Sequence, residues 1–108
     1  MNTQEQKIQE MQILEQNLQN ILLQKQAFQM ELEETKAATK EIETAGEEIF
    51  KIIGQLMIKT NKEKTKKELE EKQKMFDLRI KTFEKQEKTF VERLESLRDE
   101  LMKEMKKK

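Results

Sequence analysis

Two separate blocks of this 108-residue chain carry a stripe of residues spaced alternately three and four apart. This spacing aligns the stripe on one face of a helix and is typical of a coiled-coil seam. The blocks cover about residues 4–45 and 61–108. The first block has the rows Met11, Leu18, Lys25, Leu32, Thr39 and Leu14, Ile21, Phe28, Thr35, Ile42. The second block has the rows Leu69, Phe76, Phe83, Phe90, Leu97 and Gln73, Ile80, Glu87, Leu94, Leu101.

The composition agrees with two long helices. The chain is 41% charged and 34% hydrophobic, and it contains no proline. Long coiled-coil helices have this mixture, whereas a disordered chain of similar charge rarely keeps a strict period. The sequence Thr60-Asn61-Lys62-Glu63 has the T-x-x-E pattern of a capping box and predicts the start of the second helix. We therefore predict a mainly α fold.

A stretch rich in β-branched residues separates the two blocks. Residues 49–60 read IFKIIGQLMIKT, and the two glycines of the chain, Gly46 and Gly54, precede and interrupt it. Gly46 is placed to end the first helix as a residue that can adopt a positive φ. Gly54-Gln55 fits a two-residue type II′ turn, which takes glycine at its first position. We predict a β-hairpin with strands near 49–53 and 56–60.

This segment also determines how the two helices are arranged. A hairpin lets them fold back on each other as an antiparallel two-helix coiled coil. The rival is one continuous helix in a parallel dimer, which Gly54 and the β-branched run disfavour. We predict a single domain, 1–108, with an N-terminal arm (1–46), a hairpin segment (47–60) and a C-terminal arm (61–108).

The predicted hairpin is apolar on both faces, which predicts assembly. If Gly54-Gln55 is the turn, Ile53 pairs with Leu56 and Ile52 pairs with Met57. A lone two-stranded hairpin is marginally stable in water, and its edges expose unpaired backbone groups. We therefore expect it to join a larger sheet or barrel with other chains; the alternative is that it packs on its own arms. The expected assembly residues are Ile49, Phe50, Ile52, Ile53, Leu56, Met57 and Ile58.

The central stretch Phe50-Lys51-Ile52-Ile53-Gly54-Gln55-Leu56-Met57-Ile58-Lys59, placed between two long coiled coils, resembles a β-class subunit of prefoldin. Gln24-Lys25-Gln26 and Lys85-Gln86-Glu87 are similar to the same class. A single hairpin favours the β class over the α class, whose subunits carry two.

The resemblance implies a hexamer of two α-class and four β-class subunits whose hairpins form a β-barrel. It also implies an ATP-independent co-chaperone that captures non-native proteins and passes them to a group II chaperonin in the cytosol. A structural coiled-coil scaffold or spacer without client binding is the alternative function.

The far ends of the two arms are the expected client-binding tips. Apolar residues widen the stripe there, and methionine suits surfaces that meet many partners. The alternative is that these ends fray and pack on each other. The expected tip residues are Ile8, Met11, Ile13, Leu14, Leu97, Leu101, Met102 and Met105.

The charge pattern and the missing residue types argue against other classes of function. The formal net charge is zero, so no positive field favours nucleic acid or an anionic membrane. The chain has no cysteine or histidine and no Gly-rich phosphate loop, and its carboxylates lie on solvated faces. We expect no enzyme activity, no metal or other cofactor, and a cytoplasmic location.

Lys25 and Glu87 interrupt the two seams at about the middle of each arm. They either pair and fix the register of the coiled coil or extend separately into water.

Overall fold

The computed structural model describes residues 2–106. Helix α1 spans Thr3–Thr44, strands β1 and β2 span Glu48–Ile53 and Leu56–Asn61, and helix α2 spans Lys62–Lys106. The predicted order of helix, hairpin and helix is confirmed, and the single continuous helix is excluded. The last two residues of the predicted C-terminal arm, 107 and 108, lie outside the described residues.

The hairpin has the predicted register. Ile53 pairs with Leu56, Ile52 with Met57 and Lys51 with Ile58, and the antiparallel ladder extends to Glu48 and Asn61. Gly54 has φ of 60°, and no non-glycine residue among those described has a positive φ. A positive φ at the first turn residue alone is the pattern of a type II′ turn, because type I′ requires it at both.

Helix α1 ends near Gly46, but the expected left-handed glycine cap is absent because Gly46 does not have a positive φ. The backbone N–H of Ala45 donates to the Ile42 carbonyl at 3.2 Å, which tightens the last turn. The Lys62 ammonium, from the first turn of α2, donates to the Ala45 carbonyl at 3.0 Å. A lysine thus supplies the donor and the positive charge that the end of a helix requires.

The start of α2 also differs from the prediction. The side-chain Oδ1 of Asn61 accepts a hydrogen bond from the backbone N–H of Lys64 at 2.7 Å, so Asn61 is the N-cap. Thr60 instead lies in strand β2, and its hydroxyl accepts a hydrogen bond from the Thr65 hydroxyl. The predicted T-x-x-E capping box is therefore wrong, because the N-cap lies one residue later than predicted. Asn2 caps α1 in the same way, accepting from the backbone N–H of Glu5 at 2.8 Å.

The chain divides into two compact units. One unit contains α1 up to Gln26 together with α2 from Lys81 onward, and the other is Ala27–Ile80. In the second unit Leu32, Phe76 and Ile80 form a buried cluster against which Phe28 packs. The rings of Phe28 and Phe76 lie 5.8 Å apart in a tilted arrangement. In the first unit the buried apolar residues are Ile21, Phe83, Leu94 and Leu97.

The seam prediction agrees with the burial of every row residue. All twenty are buried or half-buried, including the polar Thr35, Thr39 and Gln73. The Thr35 hydroxyl donates to the Glu31 carbonyl one turn earlier at 2.8 Å, so the most buried of these polar groups is hydrogen-bonded within its own helix. The heptad pattern therefore identifies the faces on which the helices pack.

Candidate functional site

The first candidate site is the hairpin surface, defined as Ile49, Phe50, Ile52, Ile53, Leu56, Met57 and Ile58. Six of these seven side chains are exposed, with Ile52 at 71%, and only Ile49 is half-buried. The alternative in which the hairpin packs down on its own helices is therefore wrong for these side chains. Because the register places Ile52 and Met57 on one face and Ile53 and Leu56 on the other, both faces remain uncovered.

Two exposed ion pairs involve the hairpin and leave its apolar side chains uncovered. Lys51 Nζ lies 3.2 Å from Glu68 Oε2, which attaches β1 to the second turn of α2. Lys59 Nζ lies 3.3 Å from Glu48 Oε1 across the two strands. The sheet contains only these two strands in the described residues, so each keeps one edge unpaired. Unpaired edges and two apolar faces are what a larger sheet would cover.

The second candidate site is the tip surface in the first unit. Four of the predicted tip residues are exposed, at between 47% and 67%: Ile8, Ile13, Met102 and Met105. We define the tip surface by these four. Met11, Leu14 and Leu101 are half-buried. Leu97 is 0% exposed, so it packs in the core of this unit and offers no surface to a partner.

Ion pairs join the two helices in the same unit as the tip surface. The Lys7 ammonium donates a hydrogen bond to the Glu104 carboxylate and lies 3.4 Å from Glu100 Oε2. The Arg93 guanidinium donates to both carboxylate oxygens of Glu10, at 3.0 and 3.2 Å. Glu104 raises the pKa of Lys7, and Glu10 raises the pKa of Arg93, through these hydrogen bonds. Both hydrogen bonds therefore favour the charged form of the cation.

Sequence reasoning missed these ion pairs and also missed several exposed apolar residues on the helices. Leu23, Met30 and Met75 are exposed to between 50% and 66% but lie outside the predicted tips. The signal for the pair of Lys7 and Glu104 was available, because these two residues continue the seam rows by one heptad. The unresolved pairing of Lys25 and Glu87 is settled by a 3.1 Å contact between Nζ and Oε2.

Within residues 2–106 no three side chains of the metal-binding types are grouped closely enough to hold an ion. Neither helix in that range combines the length and the hydropathy that a membrane span needs. What the two surfaces offer chemically is apolar area bordered by charge, which is suited to binding other proteins.

Comparison with known proteins identifies relatives over most of the chain. A sequence model of the prefoldin subunit family matches residues 5–108. The prefoldin subunit beta of Thermococcus onnurineus is 42% identical over 85 residues, which cover 77% of this chain and 73% of that protein. The prefoldin subunit beta of Pyrobaculum calidifontis is 37% identical over 92 residues, which cover 83% of this chain and 74% of that protein.

The fold leads to the same family. The crystal structure of the prefoldin beta subunit from Thermococcus strain KS-1 matches with a TM-score of 0.87 and 32% sequence identity. The match covers 95% of this chain and 92% of that one. The two long helices, the single hairpin and the sequence similarity over most of the chain together establish that this protein belongs to the prefoldin family of co-chaperones, as a β-class subunit.

Proposed function

We propose that this chain is one of four β-class subunits in a prefoldin hexamer that also contains two α-class subunits, and that its hairpin joins a β-barrel in that assembly. The observation that supports this is the exposure of six apolar side chains on a hairpin of only two strands. Burial of apolar area is the main driving force of association, and the open strand edges supply backbone groups for pairing. The family match over residues 5–108 supports a single domain, 1–108.

We further propose that the assembly binds non-native proteins at its coiled-coil tips without ATP and passes them to a group II chaperonin in the cytosol. The single observation that supports client binding is the exposure of Ile8, Ile13, Met102 and Met105, with charged residues around them. Non-native proteins expose apolar segments of no fixed sequence. Flexible methionine side chains adapt to such segments better than branched ones do.

The test is suppression of aggregation by the assembled protein. The variant Ile8→Gln, Met102→Gln, Met105→Gln removes apolar area from the tip surface and keeps good helix formers. The matched control is Leu23→Gln, Met30→Gln, Met75→Gln, which changes three equally exposed apolar residues elsewhere. Light scattering of a chemically denatured client, diluted into each protein at the same concentration, provides the measurement.

We expect the tip variant to lose most of the suppression and the control to retain it. Equal suppression by both variants would show that the tip surface does not bind clients. If the unsubstituted assembly itself fails to suppress aggregation, the scaffold or spacer function replaces the chaperone function.

A further inference from the structure

Near the start of α1 and the end of α2, in the first unit, charged residues occupy positions of the coiled-coil seam. Lys7 stands seven residues before Leu14, and Glu104 stands seven residues after Leu97, so both occupy seam positions. Both are half-buried, whereas their sequence neighbours Ile8 and Met105 are exposed. In the seam layer that contains Lys7 and Glu104 the usual arrangement is therefore inverted, because charged residues occupy the seam and their apolar neighbours lie outside it.

The charged residues of this end form two groups, and each group joins α1 to α2. Lys7 is shared by Glu104 and Glu100, one helical turn apart on α2, and Arg93 binds Glu10 with two hydrogen bonds. Glu104 Oε2 is enclosed and has no hydrogen-bond donor among the described residues. Among the described residues, Lys7 is therefore the cation that neutralises the Glu104 carboxylate.

We infer that these five residues, Lys7, Glu10, Arg93, Glu100 and Glu104, act as an ionic clasp that holds the N-terminal turns of α1 and the C-terminal turns of α2 together. In an ordinary coiled coil apolar side chains close the last layer and are buried by doing so. Here the clasp closes it, and Ile8, Met102 and Met105 do not have to be buried for the helices to stay joined.

The inference rests on the proposed function for one point, which is the use of the exposed side chains in client binding. Closure of the helix ends by charge is independent of any client. It can therefore be measured without one, and its failure is distinguishable from failure of the chaperone function.

The measurement is the distance between spin labels on the two helix ends. Because the chain has no cysteine, Glu5→Cys and Lys103→Cys give two unique and exposed labelling sites. Labelled chain is diluted with unlabelled chain, so that distances within one chain dominate in the assembled protein. Raising the salt from 0.1 to 1 M shortens the screening length from about 10 Å to about 3 Å, which weakens exposed and half-exposed ion pairs.

We expect the distance distribution to broaden and move to longer distances at high salt. Lys7→Glu places a third carboxylate beside Glu100 and Glu104, and it should give the same change at low salt. Lys7→Glu combined with Glu100→Lys and Glu104→Lys restores opposite charges and should return the distribution to that of the unsubstituted chain. Lys7→Leu with Glu104→Leu replaces the central ion pair by an apolar layer and should reduce the response to salt.

Helix content measured by circular dichroism accompanies each variant, so that a loss of folding is separated from opening of the ends. The inference is overturned if the distribution is the same at both salt concentrations and in Lys7→Glu. It is also overturned if the triple reversal stays as broad as Lys7→Glu, because pairing of opposite charges would then not be what holds the ends together.

Discussion

Lys25 Nζ lies 3.1 Å from Glu87 Oε2, and both residues occupy positions in the seam where an apolar side chain is usual. The two side chains are 19% and 30% exposed, so water reaches them only partly. A partly buried pair of this kind specifies which residues of the two helices face each other, because a shifted register would bury each charge without its partner.

A double-mutant cycle with Lys25→Ala and Glu87→Ala tests this pair. We expect a coupling energy of about 1 kcal/mol, at the upper end for partly exposed ion pairs. Replacing both with leucine should raise the free energy of unfolding, by roughly 1–2 kcal/mol, because the desolvation cost of two charges disappears. Urea denaturation at fixed protein concentration measures both effects. Coupling close to zero would mean that the contact does not set the register.

The hairpin surface should control assembly. Ile52 is 71% exposed, and Ile52→Asp places a charge on a face that we expect to be buried between subunits. Native mass spectrometry of the chain, alone and with α-class subunits, should show loss of the oligomer. Leu23→Asp is the matched control, since it adds the same charge at a side chain 65% exposed on α1. An unchanged oligomer in Ile52→Asp would place assembly elsewhere.

Substitution by alanine should destabilise the protein at Gly54 but not at Gly46. Gly54 has φ of 60°, so Gly54→Ala forces an L-residue into the left-handed region and should cost about 1–2 kcal/mol. Gly46 lacks a positive φ, and a Cβ there meets nothing within 4 Å. Gly46→Ala should be neutral or stabilise by about 0.4–1 kcal/mol, because the unfolded chain loses conformational freedom. Thermal unfolding of the assembled protein compares them, and equal shifts in Tm would contradict the assigned turn.

Truncation to alanine should destabilise the protein strongly at Leu97 and hardly at all at Met105. Leu97 is fully buried, so Leu97→Ala leaves a cavity and should lower the free energy of unfolding by about 2–5 kcal/mol. Met105 is 67% exposed, so Met105→Ala should stay within about 0.5 kcal/mol. Urea denaturation gives both values. A similar loss in the two variants would mean that Met105 is covered by packing and is not free for a partner.

The parts of the fold that follow from periodicity could be predicted from the sequence. The seam rows and the pairing of Ile53 with Leu56 depend only on residue spacing and on one glycine, and the structure agrees with them. The helix ends depend on local competition. Thr60 and Asn61 are adjacent good caps, and only the geometry of the strand end shows that Asn61 is used.

The remaining differences arise from contacts between segments distant in sequence. The Lys62 cap on α1 requires the hairpin to bring the start of α2 beside Ala45, which no pattern within α1 reveals.

Leu97 is buried because it lies on the seam, and Met105 is exposed because it lies outside the seam. Heptad position thus predicted burial at the tips better than hydrophobicity did, since all eight expected tip residues are apolar.

The uncovered hairpin has a consequence for the life of the chain before assembly. The hairpin of a newly synthesised subunit without partners carries six exposed apolar side chains and two open strand edges, which is the kind of surface that chaperones and proteases act upon. We therefore expect an excess of this subunit over its partners to be removed or to aggregate. A cell would then have to balance the synthesis of its subunits, because until it is assembled this co-chaperone subunit exposes apolar surface as a non-native protein does.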